Sequence, residues 1–152
     1  MSVSIPGLEE ADCILLIGYN PAASHPIVAS RIVKARERGA KIIVVDPRVI
    51  ETARIADIHL QIKNGSNLAF LNAMANVIIK EGLHDKEFID AHTEGFDEWL
   101  EVVERYTPEY SAEICGVEAD AIREAACMYA TAGTSILGWG MGVTQQRQGV
   151  HT

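Results

Sequence analysis

The sequence is poor in cations, in paired cysteines, in long apolar runs and in the glycines that mark a nicotinamide site. Against 21 acidic residues stand 13 lysines and arginines, a formal net charge of −8. Nucleic-acid binding needs clustered cations against the phosphate backbone, so that class is excluded, and the acidity serves solubility. Any anionic ligand must be held by local geometry. The three cysteines, Cys13, Cys115 and Cys127, form no CxxC or other metal-ligand spacing. An odd, widely spaced set implies reduced thiols and a cytoplasmic location. Cys13 opens an apolar run and Cys127 lies in a helical pattern, so both read as packing residues. No apolar stretch approaches the roughly 20 residues of a bilayer span, and "MSVSIPGLEEAD" has no signal-peptide pattern. His25, His59, His84, His92 and His151 are scattered without an HExxH, and no nucleophile stands beside a base. No residue qualifies as catalytic or as a metal ligand, and the chain reads as a binding domain without its own reaction centre.

What is present is the pattern of one α/β domain spanning residues 1–152, with 48% apolar residues and no repeats. "CILLIG" is a continuous apolar run of strand length, as in a parallel strand covered on both faces. Ser24 is placed to cap the next helix, with Pro26 in its first turn. Ile27, Val28, Ile32 and Ala35 make its apolar stripe, Arg31, Lys34, Glu37 and Arg38 its other side, and Gly39 its stop. "KIIVVD" closes a βαβ unit, and Ile58 to Ile62 alternate as an edge strand. "NGSN" turns into a helix over Asn67–Lys80 with Leu71, Met74, Ala75 and Ile78 inward, ending at Gly82. Short helical pieces follow to Ser111, closed by Pro108, and Gly116 separates another from "VEADAIREAACMYATAG", which Gly133 stops. "TSILGWG" is the last strand, running into the loop "GWGMGVTQ". The expected fold is a Rossmann-like open, mainly parallel sheet of order 3-2-1-4 with flanking helices and a helical insert.

In that order the topology reverses between the first and last strands, where open α/β sheets bind ligands. "GYNPAASHP" brings helix-start amides suited to phosphate, and it has Gly18 but no GxGxxG. Gly138, Gly140 and Gly142 let backbone approach a ligand, or else make a tight turn. Asp46 in "VVDPR" stands where a carboxylate meets a ribose, or else caps its own turn. Arg48 can pair with a phosphate or a surface acid, and "NGSN" adds amides and the Asn67 side chain. Together the four loops outline a trough of dinucleotide size.

The ordered set GYNP, SHPI, DPR, ARIAD, KNGSN and WGMGVTQ, with "YTPEYSAEICGVEADAIREAACMYA" between, resembles the catalytic subunit of molybdopterin-dependent formate dehydrogenases, of the dimethyl sulfoxide reductase superfamily. The likeness covers nearly the whole chain. It implies an oxidoreductase domain that helps hold bis-molybdopterin guanine dinucleotide, with molybdenum or tungsten, for formate and carbon dioxide interconversion. By that resemblance Gly18, Tyr19 and Asn20 approach the dinucleotide phosphates and ribose, with Ser24 and His25 beside them. Asp46, Pro47 and Arg48 lie at the nucleoside end. Gly65, Ser66 and Asn67 flank the guanine, and Gly140, Met141, Gly142 and Gln145 meet the cofactor from the last strand.

Such subunits are several times longer, and they carry a cysteine cluster for an iron–sulfur centre and a cysteine or selenocysteine metal ligand that this sequence lacks. The expectation is therefore an excised domain, Met1 being an added start, inactive towards formate by itself. Its partners are then the remaining domains of its subunit and an electron-transfer subunit, with self-association of the piece through an exposed apolar face. The alternatives are a stand-alone nucleotide-binding module using a nicotinamide or thiamine cofactor, and a structural domain without a ligand.

Overall fold

The computed structural model of the chain describes residues 3–150 and 152; Met1 and His151, singled out above, lie outside the described residues. Four strands, β1 (Cys13–Ile17), β2 (Lys41–Val45), β3 (Ile58–Leu60) and β4 (Ser135–Trp139), pair in parallel in the order β3-β2-β1-β4. That is the 3-2-1-4 order expected. β1 is buried along its whole length because helices cover both faces of the sheet. The helices are α1 (Pro21–Ser24), α2 (Pro26–Glu37), α3 (Asn67–Lys80), α4 (Lys86–His92), α5 (Phe96–Val103), α6 (Pro108–Cys115), α7 (Ala119–Ala130) and α8 (Met141–Thr144).

The alternation of side chains along each strand divides the core in two. Cys13, Leu15 and Ile17 point to one face, against Phe70, Ala73 and Val77 of α3 and Ile122, Ala125 and Ala126 of α7. Ile14 and Leu16 point to the other, against Ile32 and Ala35 of α2. Phe70 is wholly buried at the centre of the first layer. A single-turn 3-10 helix, Pro6–Glu10, is held to α2 by Glu9, whose carboxylate pairs with Arg31, Lys34 and Arg38. That hydrogen bond from Arg31, together with the two further cations, holds the Glu9 carboxyl below the usual carboxylate range despite some burial.

Several local expectations are corrected. Ser24 does not cap α2. Pro21 and Pro26 each open a helical turn, so the chain starts helix twice, and Ser24 ends the first turn with its hydroxyl donating to the Asn20 carbonyl at 2.8 Å. His25 holds the N-cap position without a side-chain cap. Ile27 is 66% exposed, so the apolar stripe of α2 begins at Val28. Arg31 is half-buried against Glu9 rather than facing solvent. The inward face of α3 is turned from the one expected: Phe70, Ala73, Met74 and Val77 are buried, whereas Leu71, Ala75 and Ile78 are only partly so. The large Phe70 ring sets the helix rotation, outweighing the aliphatic count. β3 ends at Leu60, because the Lys63 amide leaves the sheet to donate to the Cys115 carbonyl at 2.7 Å. Pro108 opens α6 instead of closing the preceding helix, with the Thr107 hydroxyl accepting from the Tyr110 amide at 3.2 Å. α7 ends at Ala130, three residues before Gly133. Cys127 packs against the core but is only partly buried, while Cys115 is fully buried.

Candidate functional site

The reversal of topology falls between β1 and β4, and beyond their carboxyl ends lies a cavity of about 1050 Å³. Its size is that of a large small-molecule site. Four loops line one end of it, β1 to α1, β2 onward from Asp46, Lys63 to Asn67, and β4 to α8, and the rest runs along the α2 face of the sheet over Leu8, Ile14, Val28, Ile32 and Ile136.

The glycines hold these loops together in a way the sequence did not show. A Cβ on Gly142 would lie 2.6 Å from the Gly18 Cα, and one on Gly18 would lie 2.7 Å from the Gly142 carbonyl carbon. The two backbones therefore touch, and the Gly142 amide donates to the Gly18 carbonyl at 3.0 Å. Gly18 also has φ +54°, a left-handed conformation that glycine alone adopts freely. Gly138 and Gly140 leave room for Leu16 and the Tyr19 ring. The glycine spacing of the last strand thus fits protein backbone and an aromatic ring, where the sequence reading gave that space to a ligand. Asn67, 7% exposed, ties in a third loop through its Nδ2, which donates to the Gly142 carbonyl at 2.8 Å.

Polar groups on this frame are specific. Asp46 is 4% exposed. Its Oδ1 accepts from the Arg48 amide at 2.9 Å, so the carboxylate does cap its own turn, and it faces the Arg48 guanidinium at 3.5 Å. No hydrogen bond reaches its Oδ2 among the described residues. Arg48 is largely exposed and free to turn toward a ligand. The Asn20 Nδ2 donates to Glu51 at 3.1 Å, while its Oδ1 is buried without a partner. The Glu51 carboxyl is held below its ordinary range by its own backbone amide and by Asn20. The Tyr19 hydroxyl lies 3.0 Å from the His25 Nδ1, and burial pushes the Tyr19 phenol up from its ordinary value. His25 is therefore engaged with Tyr19, its side chain making no helix cap.

Of the residues singled out from sequence, Gly18, Tyr19, Asn20, Ser24, His25, Asp46, Pro47, Arg48, Gly65, Asn67, Gly140, Met141 and Gly142 all line the cavity. Two do not. Ser66 is buried behind the wall, its hydroxyl donating to the Lys63 carbonyl at 2.6 Å. Gln145 caps the one-turn helix α8 and is off the wall, and Gln146, the next residue, takes the wall position. Sequence reasoning also missed Lys63 and Asn64, which line the rim and were legible as the first two residues of "KNGSN". Among the described residues no group of three His, Cys, Asp or Glu side chains could hold a metal. No helix described is long and apolar enough to cross a membrane.

This architecture defines an α/β domain with an open, mainly parallel sheet and a cleft at its topological switch point, the place where such sheets bind ligands. The chain belongs to the molybdopterin oxidoreductase family, which matches residues 1–152. It is 57% identical to formate dehydrogenase H of Escherichia coli, over 100% of this chain and 21% of that protein. To the alpha subunit of a formate dehydrogenase of Methanocaldococcus jannaschii it is 52% identical, over 99% of this chain and 22% of the other. Acetylene hydratase from Pelobacter acetylenicus has the same fold, with a TM-score of 0.85 at 34% identity, over 95% of this chain and 22% of that one. Nitrate reductases are also among the relatives, at 40% and 41% identity. The chain spans about a fifth of the length of the curated relatives it matches.

Proposed function

We propose that this chain is the part of a formate dehydrogenase catalytic subunit that holds one guanine dinucleotide arm of a bis-molybdopterin guanine dinucleotide cofactor. The observation that carries the proposal is the convergence, at one end of the cavity of about 1050 Å³, of four loops that bear the motifs GYN, DPR, KNGSN and WGMG. Its donors and acceptors fit such a group. The N-terminus of α2 has no side-chain cap and opens beside His25, which suits a phosphate. The buried, unpartnered Asn20 Oδ1 and the free Oδ2 of Asp46 are acceptors for ribose hydroxyls or guanine N–H groups. Arg48 supplies a mobile cation over Asp46.

When bound, the molybdenum or tungsten and its sulfur ligands supply the redox chemistry between formate and carbon dioxide. The residues of this chain orient and bury the nucleotide arm. Gly18, Tyr19, Asn20 and His25 approach the phosphates and ribose, and Ser24 fixes the turn beneath them. Asp46, Pro47 and Arg48 line the nucleoside end, Gly65 and Asn67 the guanine, and Gly140, Met141 and Gly142 the opposite wall. Ser66 supports the Lys63–Asn67 turn from behind, and Gln146 takes the part expected of Gln145. Formate is favoured as substrate because formate dehydrogenases match at 57% and 52% identity, above the nitrate reductases. The rest of the subunit, with its iron–sulfur centre, an electron-transfer partner and a cytoplasmic location belong to the same proposal.

Calorimetric titration of the chain with GDP and with NAD tests this reading. GDP is expected to bind and NAD to fail. Binding of NAD alone would overturn it.

A further inference from the structure

The turn between β3 and α3 carries the one Asn-Gly step of the sequence, Asn64–Gly65. The Ser66 amide donates to the Lys63 carbonyl at 3.2 Å, so Asn64 and Gly65 are the two central residues of a β-turn. Gly65 has φ +86°, the sign a glycine supplies at the third position of a type II turn. Both residues are exposed, and a Cβ on Gly65 would meet nothing within 4 Å. Neither the Gly65 amide nor the Asn64 side chain is hydrogen-bonded among the described residues. The two ends of the turn are held instead. The Lys63 amide donates to the Cys115 carbonyl, and Ser66 is buried with its hydroxyl on the Lys63 carbonyl.

A backbone amide that follows asparagine is a nucleophile toward that asparagine's own side chain. Base takes the proton from the Gly65 nitrogen, which bonds to the Asn64 Cγ. The Cγ–Nδ2 bond breaks, and the departing nitrogen takes up a proton and leaves as ammonia. Water then opens the five-membered imide at one carbonyl or the other, leaving aspartate or isoaspartate, so water is the one reagent consumed. Glycine favours ring closure because no side chain crowds its nitrogen. The ring closes only when the turn opens, which costs little at an exposed tip with no hydrogen bond of its own.

The other four asparagines lack these conditions. Asn20 precedes Pro21, whose nitrogen carries no proton to lose. Asn67, Asn72 and Asn76 lie in the regular backbone of α3 and are followed by Leu68, Ala73 and Val77. We propose that Asn64–Gly65 is a site of spontaneous deamidation, which replaces a neutral amide on the rim of the cleft by a carboxylate. The modification site stands on the turn geometry alone. Its link to a bound nucleotide, which would hold the turn closed, rests on the cofactor reading.

The test holds the folded chain in mildly alkaline buffer, with and without GDP, and follows it by anion exchange, ammonia release and peptide mass mapping. Asn64 is expected to lose its amide before any other asparagine, giving a mixture of aspartate and isoaspartate. Asn64→Gln should abolish that loss, because its longer side chain must close a six-membered ring. An Asn64 that stays intact in the folded chain while a denatured sample converts would overturn the proposal. So would conversion first at Asn67, Asn72 or Asn76. GDP should slow the loss as it fills the cleft. GDP that binds by calorimetry without slowing it would overturn the link to the cleft. GDP that fails to bind would refute the cofactor reading, and the modification site then stands or falls on the free chain.

Discussion

Gly142→Ala sets two local effects against each other. Gly142 lies inside α8, and its φ is not in the left-handed region, so alanine fits the backbone conformation. Helix propensity alone then makes the substitution favourable by up to about 1 kcal/mol. The contact opposes it. The new Cβ would meet the Gly18 Cα at 2.6 Å and the Gly18 carbonyl oxygen at 2.7 Å, and both are backbone atoms with no rotamer to escape into. Overpacking of this kind costs about 1–3 kcal/mol, and a contact with unyielding backbone lies at the upper end, so a net loss of about 2 kcal/mol is expected. At about 2–4 °C per kcal/mol for a domain this size, the melting temperature should fall by about 4–8 °C. Moving Gly142 from Gly18 also stretches the 3.0 Å amide bond between them and the 2.8 Å bond from Asn67, so GDP affinity should fall as well. Gly82→Ala is the control, outside the cavity: its Cβ meets nothing within 4 Å, and its φ of +65° leaves only a conformational cost of about 1 kcal/mol. Thermal melts and calorimetry on both variants decide it. A Gly142→Ala protein as stable as the parent, or more so, would refute the glycine interlock.

Asn67→Ala removes the donor to the Gly142 carbonyl, and denaturant melts should show a loss of about 1–3 kcal/mol, with Asn67→Asp no better because a carboxylate cannot donate. Phe70→Ala empties the centre of one core layer and should cost about 3–5 kcal/mol in the same assay. Burial alone would raise the Asp57 carboxyl, but the Ile42 amide, Lys41 and Arg36 outweigh it and hold it below its ordinary value. Its folded pKa lies below its unfolded one, so its stabilisation is present above the unfolded value and is lost as pH falls through the folded one. Urea melts should therefore show stability dropping below about pH 4, with a shallower slope for Asp57→Asn. Burial pushes the Cys13 thiol up to about 11, and Cys115 is raised and fully buried too. An aromatic disulfide reagent at neutral pH should thus label Cys127 quickly in the native chain and all three cysteines only after unfolding.

The strand order and both βαβ-type crossovers were legible because "CILLIG" and "KIIVVD" are continuous apolar runs bounded by turn residues. The bounds of α3 were legible too, but its rotation was not, since a periodicity count weighs Leu71 and Phe70 alike while packing against Ile17 and Leu60 does not. Most of the cavity wall could be named because the switch point gathers the strand ends whatever the side chains. The roles of the glycines could not. That Gly142 rests on Gly18, 124 residues earlier in the numbering, is a fact of the folded loops, and local spacing carries no trace of it. Nor could one assign Gln146 over Gln145, because only the folded chain shows that Gln145 caps α8 and Gln146 follows on the wall.

Amide shift mapping of the 15N-labelled chain with added GDP asks whether the four loops hold the guanine nucleotide end of a cofactor. Saturable shifts confined to Gly18–His25, Asp46–Arg48, Lys63–Asn67 and Gly138–Gly142 are expected. Absence of shifts there, or saturable shifts confined to α4 and α5, would contradict nucleotide binding by these loops.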